Sequence, residues 1–331
     1  ATFPTDAHGE FKWEDETIIP DGIGAKSYKV TFVPNDADLY DYTLRLTSDN
    51  VPVQVKPRPV EIEWKFPDGI IYDGNAKRVQ PNIKNIVGDD ITAPSYSVYE
   101  KADGEWKLKS DAIINAGTYK AVFESSGNEN YTLEGGTNLE KEFEIMPKAL
   151  NADNITAIPD QTYTKEEIKP VIEVKDGDKV LALDTDYKVT YENNINAGTA
   201  KAKVEFIGNY SGTAEKEFTI LPKTIDKEIP LFAPVKKAMP QTTIDTEEYS
   251  AVITWSPDAG EKFGYKTVYT ATVTITPKAN YTVNGIAENG YVFENAQSVQ
   301  NTANSAAVTV TYPATGGRSS GGDYVTLCIV T

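Results

Sequence analysis

The sequence predicts an all-β protein, and three observations carry the prediction. Apolar and polar residues alternate over long stretches. Gly, Asn, Asp and Pro gather between those stretches, and no apolar stripe at helical spacing lasts three turns. A side-chain period of 2 built from β-branched residues marks a half-buried strand. Thus "YTATVTITP" (Tyr269–Pro277) sets Tyr269, Ala271, Val273 and Ile275 on one face, and Thr270, Thr272, Thr274 and Thr276 on the other.

In chain order, the first clear strand is "YKVTF" (Tyr28–Phe32), and nothing before Trp13 reads as one. "DYKVTY" (Asp186–Tyr191) follows, then "AKAKVEF", whose Ala200, Ala202, Val204 and Phe206 face inward against Lys201, Lys203 and Glu205. "KEFTI" (Lys216–Ile220) comes next, then "YSAVITW" with Tyr249, Ala251, Ile253 and Trp255 inward, and last "VTVTY" (Val308–Tyr312). Asp68-Gly69, Asp73-Gly74, Asp103-Gly104 and Asp176-Gly177 read as hairpin turns. Type I′ turns need positive φ at both central residues, which Asp and Gly tolerate.

One phrase occurs twice. "NAGT" stands at Asn115–Thr118 and at Asn196–Thr199, each copy followed by an Asn-Tyr pair (Asn130-Tyr131, Asn209-Tyr210) and then by "KEFEIMPK" (Lys141–Lys148) or "KEFTILPK" (Lys216–Lys223). Three landmarks in one order are an internal repeat, and each repeat is a structural unit. The Asn-Tyr pairs read as turns whose Tyr folds back onto its own unit, as a tyrosine corner does. Proline closes each unit, at Lys56-Pro57, Pro147-Lys148, Pro222-Lys223 and Tyr312-Pro313, because it cannot donate to a sheet ladder. The expected segments are therefore 1–57 (short or partial), 58–147, 148–222 and 223–313, with 314–331 a Gly/Ser linker and a strand-like tail. Short joins containing proline predict an extended, semi-rigid row.

Lys and Arg number 32 against 49 Asp and Glu, so the 331-residue chain carries a net charge of −17. That balance argues against nucleic acid and anionic membrane surfaces as partners, and for a soluble monomer. No apolar run approaches the roughly 20 residues of a membrane-spanning helix. The opening "ATFPTDAHGE" has no signal-peptide pattern, so the expectation is a start after any leader or within a longer protein. Cys328 is the single cysteine, which rules out an intramolecular disulfide, and unfolding is expected to ignore reductant.

The segment 148–222 resembles the tandem immunoglobulin-like repeats, including the MBG-type modules, of Firmicutes surface and adhesin-like proteins. The residues that carry the resemblance are Asp186-Tyr187, Tyr191, Asn193-Asn194, Asn196–Thr199, Gly208–Tyr210, Gly212-Thr213 and Phe218. It departs at Tyr163-Thr164-Lys165, where the family has Gly in place of Lys165. Segment 58–147 is similar through Ile71–Gly74, Gly88-Asp89 and Ala116–Tyr119, and the likeness extends over about residues 11–313. It implies Ig-like β-sandwich modules in an extended array, on an exported, Gram-positive protein that is wall-associated or secreted. The function it implies is an adhesin stalk or spacer. It implies no catalytic residue.

Candidate sites are few. His8, the only histidine, lies in a stretch without strand pattern, so no Ser-His-Asp or Cys-His arrangement and no zinc cluster is expected. Neither an enzyme nor a cofactor is expected. Asp36/Asp38, Asp176/Asp178 and Asp184/Asp186 have the oxygen chemistry of a calcium site, but Asp is equally a turn residue, so no metal is assigned and chelator is expected to leave stability unchanged. No Lys–Asn isopeptide cross-link is expected either. Asn130, Asn154, Asn209 and Asn280 form Asn-x-Ser/Thr triplets that the Asn-Tyr turn explains for three of the four. Cys328, in "YVTLCIVT", is expected to be a small apolar residue of a further strand. With 19 Tyr and 4 Trp, glycan binding is the rival function, as modules accessory to a larger extracellular enzyme; surface glycans or proteins are then the partners. The best patch is the hairpin "YSVYEKADGEWKL", with Tyr99 and Trp106 either side of its turn, although alternation is expected to send one of them to the core.

Overall fold

A computed structural model describes residues 9–18, 22–35, 47–66, 70–84 and 94–316. Among these there is no α-helix, only one 3-10 turn at Ala152–Asn154, and the rest is strand and loop. The protein is all-β. Its backbone forms two compact units, one of Ala1–Ala149 with Gly208–Ser211, the other of Leu150–Ile207 with Gly212–Thr331.

The first unit opens with β1 (Gly9–Trp13), β2 (Gly24–Pro34) and β3 (Thr47–Val55), an antiparallel sheet in that order. The strand before Trp13 corrects the sequence reading. Two apolar positions in five residues are too few to show a period, and β1 is specified by its partner instead: Phe11 lies opposite Phe32 and Trp13 opposite Val30.

Seven strands follow: β4 (Arg58–Lys65), β5 (Gln80–Lys84), β6 (Ser95–Ala102), β7 (Glu105–Leu108), β8 (Gly117–Ser125), β9 (Tyr131–Thr137) and β10 (Glu140–Ile145). They form two sheets, ordered β5-β4-β9 and β10-β8-β6-β7. Val60 and Ile62 of β4, Ile83 of β5 and Phe123 of β8 cluster in the core, with Trp64 and Tyr131 packed on them. The β6–β7 turn is the expected one, with Asp103 at φ 55° and Gly104 at φ 83°. Asp73-Gly74 is not a hairpin. Ile71 bridges to Met146 and Lys77 to Ile113, so the chain bends there between two different partners. The bend is held by Asp73, whose carboxylate accepts from the Asn75 amide at 2.8 Å and meets Lys77 Nζ at 2.6 Å.

In the second unit, β11 (Tyr187–Glu192), β12 (Gly198–Phe206) and β13 (Thr213–Leu221) form a sheet completed by Gln161–Thr162 alongside β13. Ala200, Ala202, Val204 and Phe206 are all buried, as alternation requires. The small hairpin near Asp176 pairs Asp176 with Lys179, so its central residues are Gly177-Asp178, one place later than the Asp-Gly dipeptide suggests. The unit closes with β14 (Thr243–Asp245), β15 (Tyr249–Ser256), β16 (Thr270–Pro277), β17 (Ser298–Gln300) and β18 (Ala307–Thr311), ordered β14-β15-β16-β18-β17. Tyr249, Ala251 and Ile253 of β15 pack with Ala271, Val273 and Ile275 of β16 and Val308 and Val310 of β18.

No described strand pairing crosses residues 57, 147 or 222. Asp68-Gly69, Gly88-Asp89 and the tail from residue 317 lie outside the described residues.

Candidate ligand-binding face

Tyr99 and Trp106 lie on one face, which corrects the expectation that one of them enters the core. In the β6–β7 hairpin Tyr99 is opposite Leu108, and Lys101 is opposite Trp106. Opposed residues share a face, and so do residues two apart in one strand, so all four side chains project together. Buried Val98 occupies the other face, toward the core. Sequence spacing alone missed this because the count across the turn depends on where the turn is centred.

The register also brings β8 into the face, with Lys120 opposite Tyr99. Lys101 Nζ and Lys120 Nζ stand 5.6 and 5.3 Å from the Trp106 ring centroid. An ammonium group over an indole is held by the ring's electron-rich face. Lys120 also reaches Glu140 at 3.1 Å. Leu108 is 63% exposed at the rim. The face therefore offers aromatic surface flanked by cations. Neither lysine was singled out by sequence reasoning, since only the strand register places them beside Trp106.

A second aromatic cleft, of about 410 Å³, opens beside β1, where Trp13 is 45% exposed. Trp13 meets Tyr28 edge-on, with centroids 6.2 Å apart and planes at 79°. Such rings present no common plane. Asp15 at its rim is held below the ordinary carboxylate range by hydrogen bonds from the Thr17 hydroxyl and amide.

The Asp184/Asp186 pair serves a turn. Asp186 is buried, and its carboxylate accepts from the Ala182 amide at 3.0 Å. Asp184 takes φ 64°, and its amide donates to the Tyr187 carbonyl at 2.7 Å. Among the described residues, no three His, Cys, Asp or Glu side chains converge as metal ligands. His8, Asp36, Asp38 and Cys328 lie outside them. No helix of the described residues is long and apolar enough to cross a membrane.

The chain matches no protein-family model, and no curated protein is significantly similar to it.

Proposed function

We propose that the chain is a non-catalytic spacer, a tandem array of Ig-like β-sandwich modules from an extracellular Gram-positive bacterial protein, wall-associated or secreted. The observation that carries the reading is the placement of the repeated phrase. Each Asn-Ala-Gly-Thr copy runs into a long strand that is central to its sheet, β8 in one segment and β12 in the other, and each such strand pairs on one side with the closing "KEF" strand. Strand pairings that stay within each segment, and clusters such as the one around Phe123, are what sandwich modules would give. The function of such a chain is reach. Small-angle scattering tests it: an array of four modules is expected to give a radius of gyration well above the roughly 20 Å of a compact globule of this length. A value near that figure would remove the spacer reading.

A second reading is favoured by one observation, the shared face of Tyr99 and Trp106 with Lys101 and Lys120. Sugar rings stack on aromatic side chains such as the half-buried Tyr99 and Trp106, and two ammonium groups beside the ring select an acidic glycan. A glycan array on the full chain is expected to show binding to anionic oligosaccharides that Trp106→Ala abolishes without changing the circular dichroism. Equal binding by the variant would leave this face without a role.

A further inference from the structure

The phrase that is repeated in sequence is also repeated as a contact. In the second unit, the loop before Tyr281 reaches the Asn196–Gly198 turn. Asn280 Oδ1 accepts from the Ala197 amide at 2.8 Å, and Asn280 Nδ2 donates to Asn196 Oδ1 at 3.0 Å. Next to these bonds Tyr281 meets Tyr163 edge-on, centroids 5.6 Å apart and planes at 82°. The loop is itself anchored where segment 223–313 begins, because the Lys223 amide donates to the Asn280 carbonyl at 2.9 Å.

The first unit holds the same set. Asn209 Oδ1 accepts from the Ala116 amide at 2.8 Å, and Asn209 Nδ2 donates to Asn115 Oδ1 at 3.2 Å. Tyr210 meets Tyr72 edge-on at 5.5 Å and 79°, and the Lys148 amide donates to the Asn209 carbonyl at 3.0 Å. One side-chain amide bonded to one turn is an ordinary contact. Two hydrogen bonds, a perpendicular tyrosine pair and a backbone anchor recurring on the same motif residues are a device written into the repeat. A bidentate amide also fixes direction as well as distance, since both its donor and its acceptor must be met in one plane.

We propose that the Asn-Tyr loop is a plug and the Asn-Ala-Gly turn its socket, and that together they form an interaction surface whose partner is another repeat of the same kind. In the second unit this connector fixes segment 223–313 in one orientation on segment 148–222. Lys165 adds to it: the residue that departs from the family pattern keeps the left-handed turn at φ 74° and reaches Glu247 at 2.6 Å. Ahead of β2 the position of the socket asparagine is a glycine. Gly22 stands two residues before β2 as Asn115 stands before β8, and a Cβ there would sit 3.9 Å from Asn130 Oδ1.

The inference deepens the spacer reading and rests on it for its purpose. Its test is separate. In a Cys328→Ser background, spin labels at Lys188→Cys and Thr272→Cys, both exposed positions, report the distance between the two segments. The full chain is expected to give one narrow distance distribution. Asn280→Gly, which accepts the φ of 72° and so keeps the turn, is expected to widen it about two-fold toward that of a flexible join. Asn196→Ala, acting from the socket side, is expected to do the same. Asn295→Gly, an exposed left-handed asparagine away from the contact, is expected to leave it unchanged. Distributions equally narrow in Asn280→Gly and Asn196→Ala would overturn the connector, as would a broad one in the parent chain. A compact scattering profile would instead remove the spacer reading and leave the label distances standing.

Discussion

Gly198 carries a backbone requirement that no side chain can meet. Its φ of 138° lies where residues with a Cβ are strained, and no atom lies within 4 Å of a Cβ built there. Gly198→Ala therefore isolates conformational strain from crowding, and is expected to lower stability by about 1–3 kcal/mol in urea titration. The tyrosines make a different demand, since a buried hydroxyl is costly without a partner, a cost that Tyr249 and Tyr281 bear and others avoid. Tyr119 donates to the Asn115 carbonyl at 2.8 Å, pinning the turn just ahead of its own strand, and Tyr187 donates to the Ile172 carbonyl at 2.7 Å. Tyr119→Phe removes that one bond and little volume, so a loss of about 1 kcal/mol is expected, measured the same way. These pairings were only half legible in the sequence. Turn residues and inward tyrosines could be read off, but which carbonyl each hydroxyl finds depends on loops whose path no period encodes. Tyr96, Tyr119, Tyr187, Tyr191 and Tyr291 all donate their hydroxyls to backbone carbonyls of loops that alternation does not trace.

At the scale of strands, alternation was the reliable signal wherever a run was long. β12 and β16 bury the residues that period 2 assigns inward, because a one-residue slip would turn Thr, Lys and Glu into the core. Short elements were not legible. β1 has two apolar residues, and the hairpin at Gly177-Asp178 has strands of two residues each, so their register comes from the partner and the turn. The candidate face shows the same limit: Tyr99 and Trp106 were found as residues, but their common side needed the register of β6 on β7. The inward tyrosines also give the strands a pH dependence. Burial pushes Tyr119, Tyr249 and Tyr312 up to about 12. In the unfolded chain such a group loses its proton near 10. Between these values the native state binds more protons than the unfolded one, so stability is full below about pH 10 and falls as pH rises toward 12. The share of tyrosinate absorbance that comes from Tyr119, Tyr249 and Tyr312 is expected to appear together with the loss of circular dichroism. Ionisation of all the tyrosines near pH 10 with the fold intact would contradict the burial.

For the molecule as a whole, the question is whether its segments are separate folding units. Segment 223–313 supplies the clearest case. Its buried cluster runs from Ile225 to Tyr312 and draws on β14, β15, β16 and β18 together with the loop residues Ile286, Tyr291 and Phe293. Every described strand pairing of this segment is internal, and Thr315, buried just past its end, ties the exit back through its amide to the Thr267 carbonyl at 3.0 Å. Chains of roughly 90 residues bury enough surface to fold alone when they have one closed core. With no disulfide to lose and its core inside its own boundaries, the fragment 223–316 is expected to unfold in a single cooperative thermal transition, with near-ultraviolet circular dichroism showing fixed aromatic packing around Trp255. The full chain is expected to show a transition at a similar temperature, displaced upward by what the contacts of Asn280, Tyr281 and Glu247 with segment 148–222 contribute. If the fragment binds a hydrophobic dye and melts without cooperativity, its core depends on segment 148–222, and the boundary at residue 222 marks a join in sequence but not in folding.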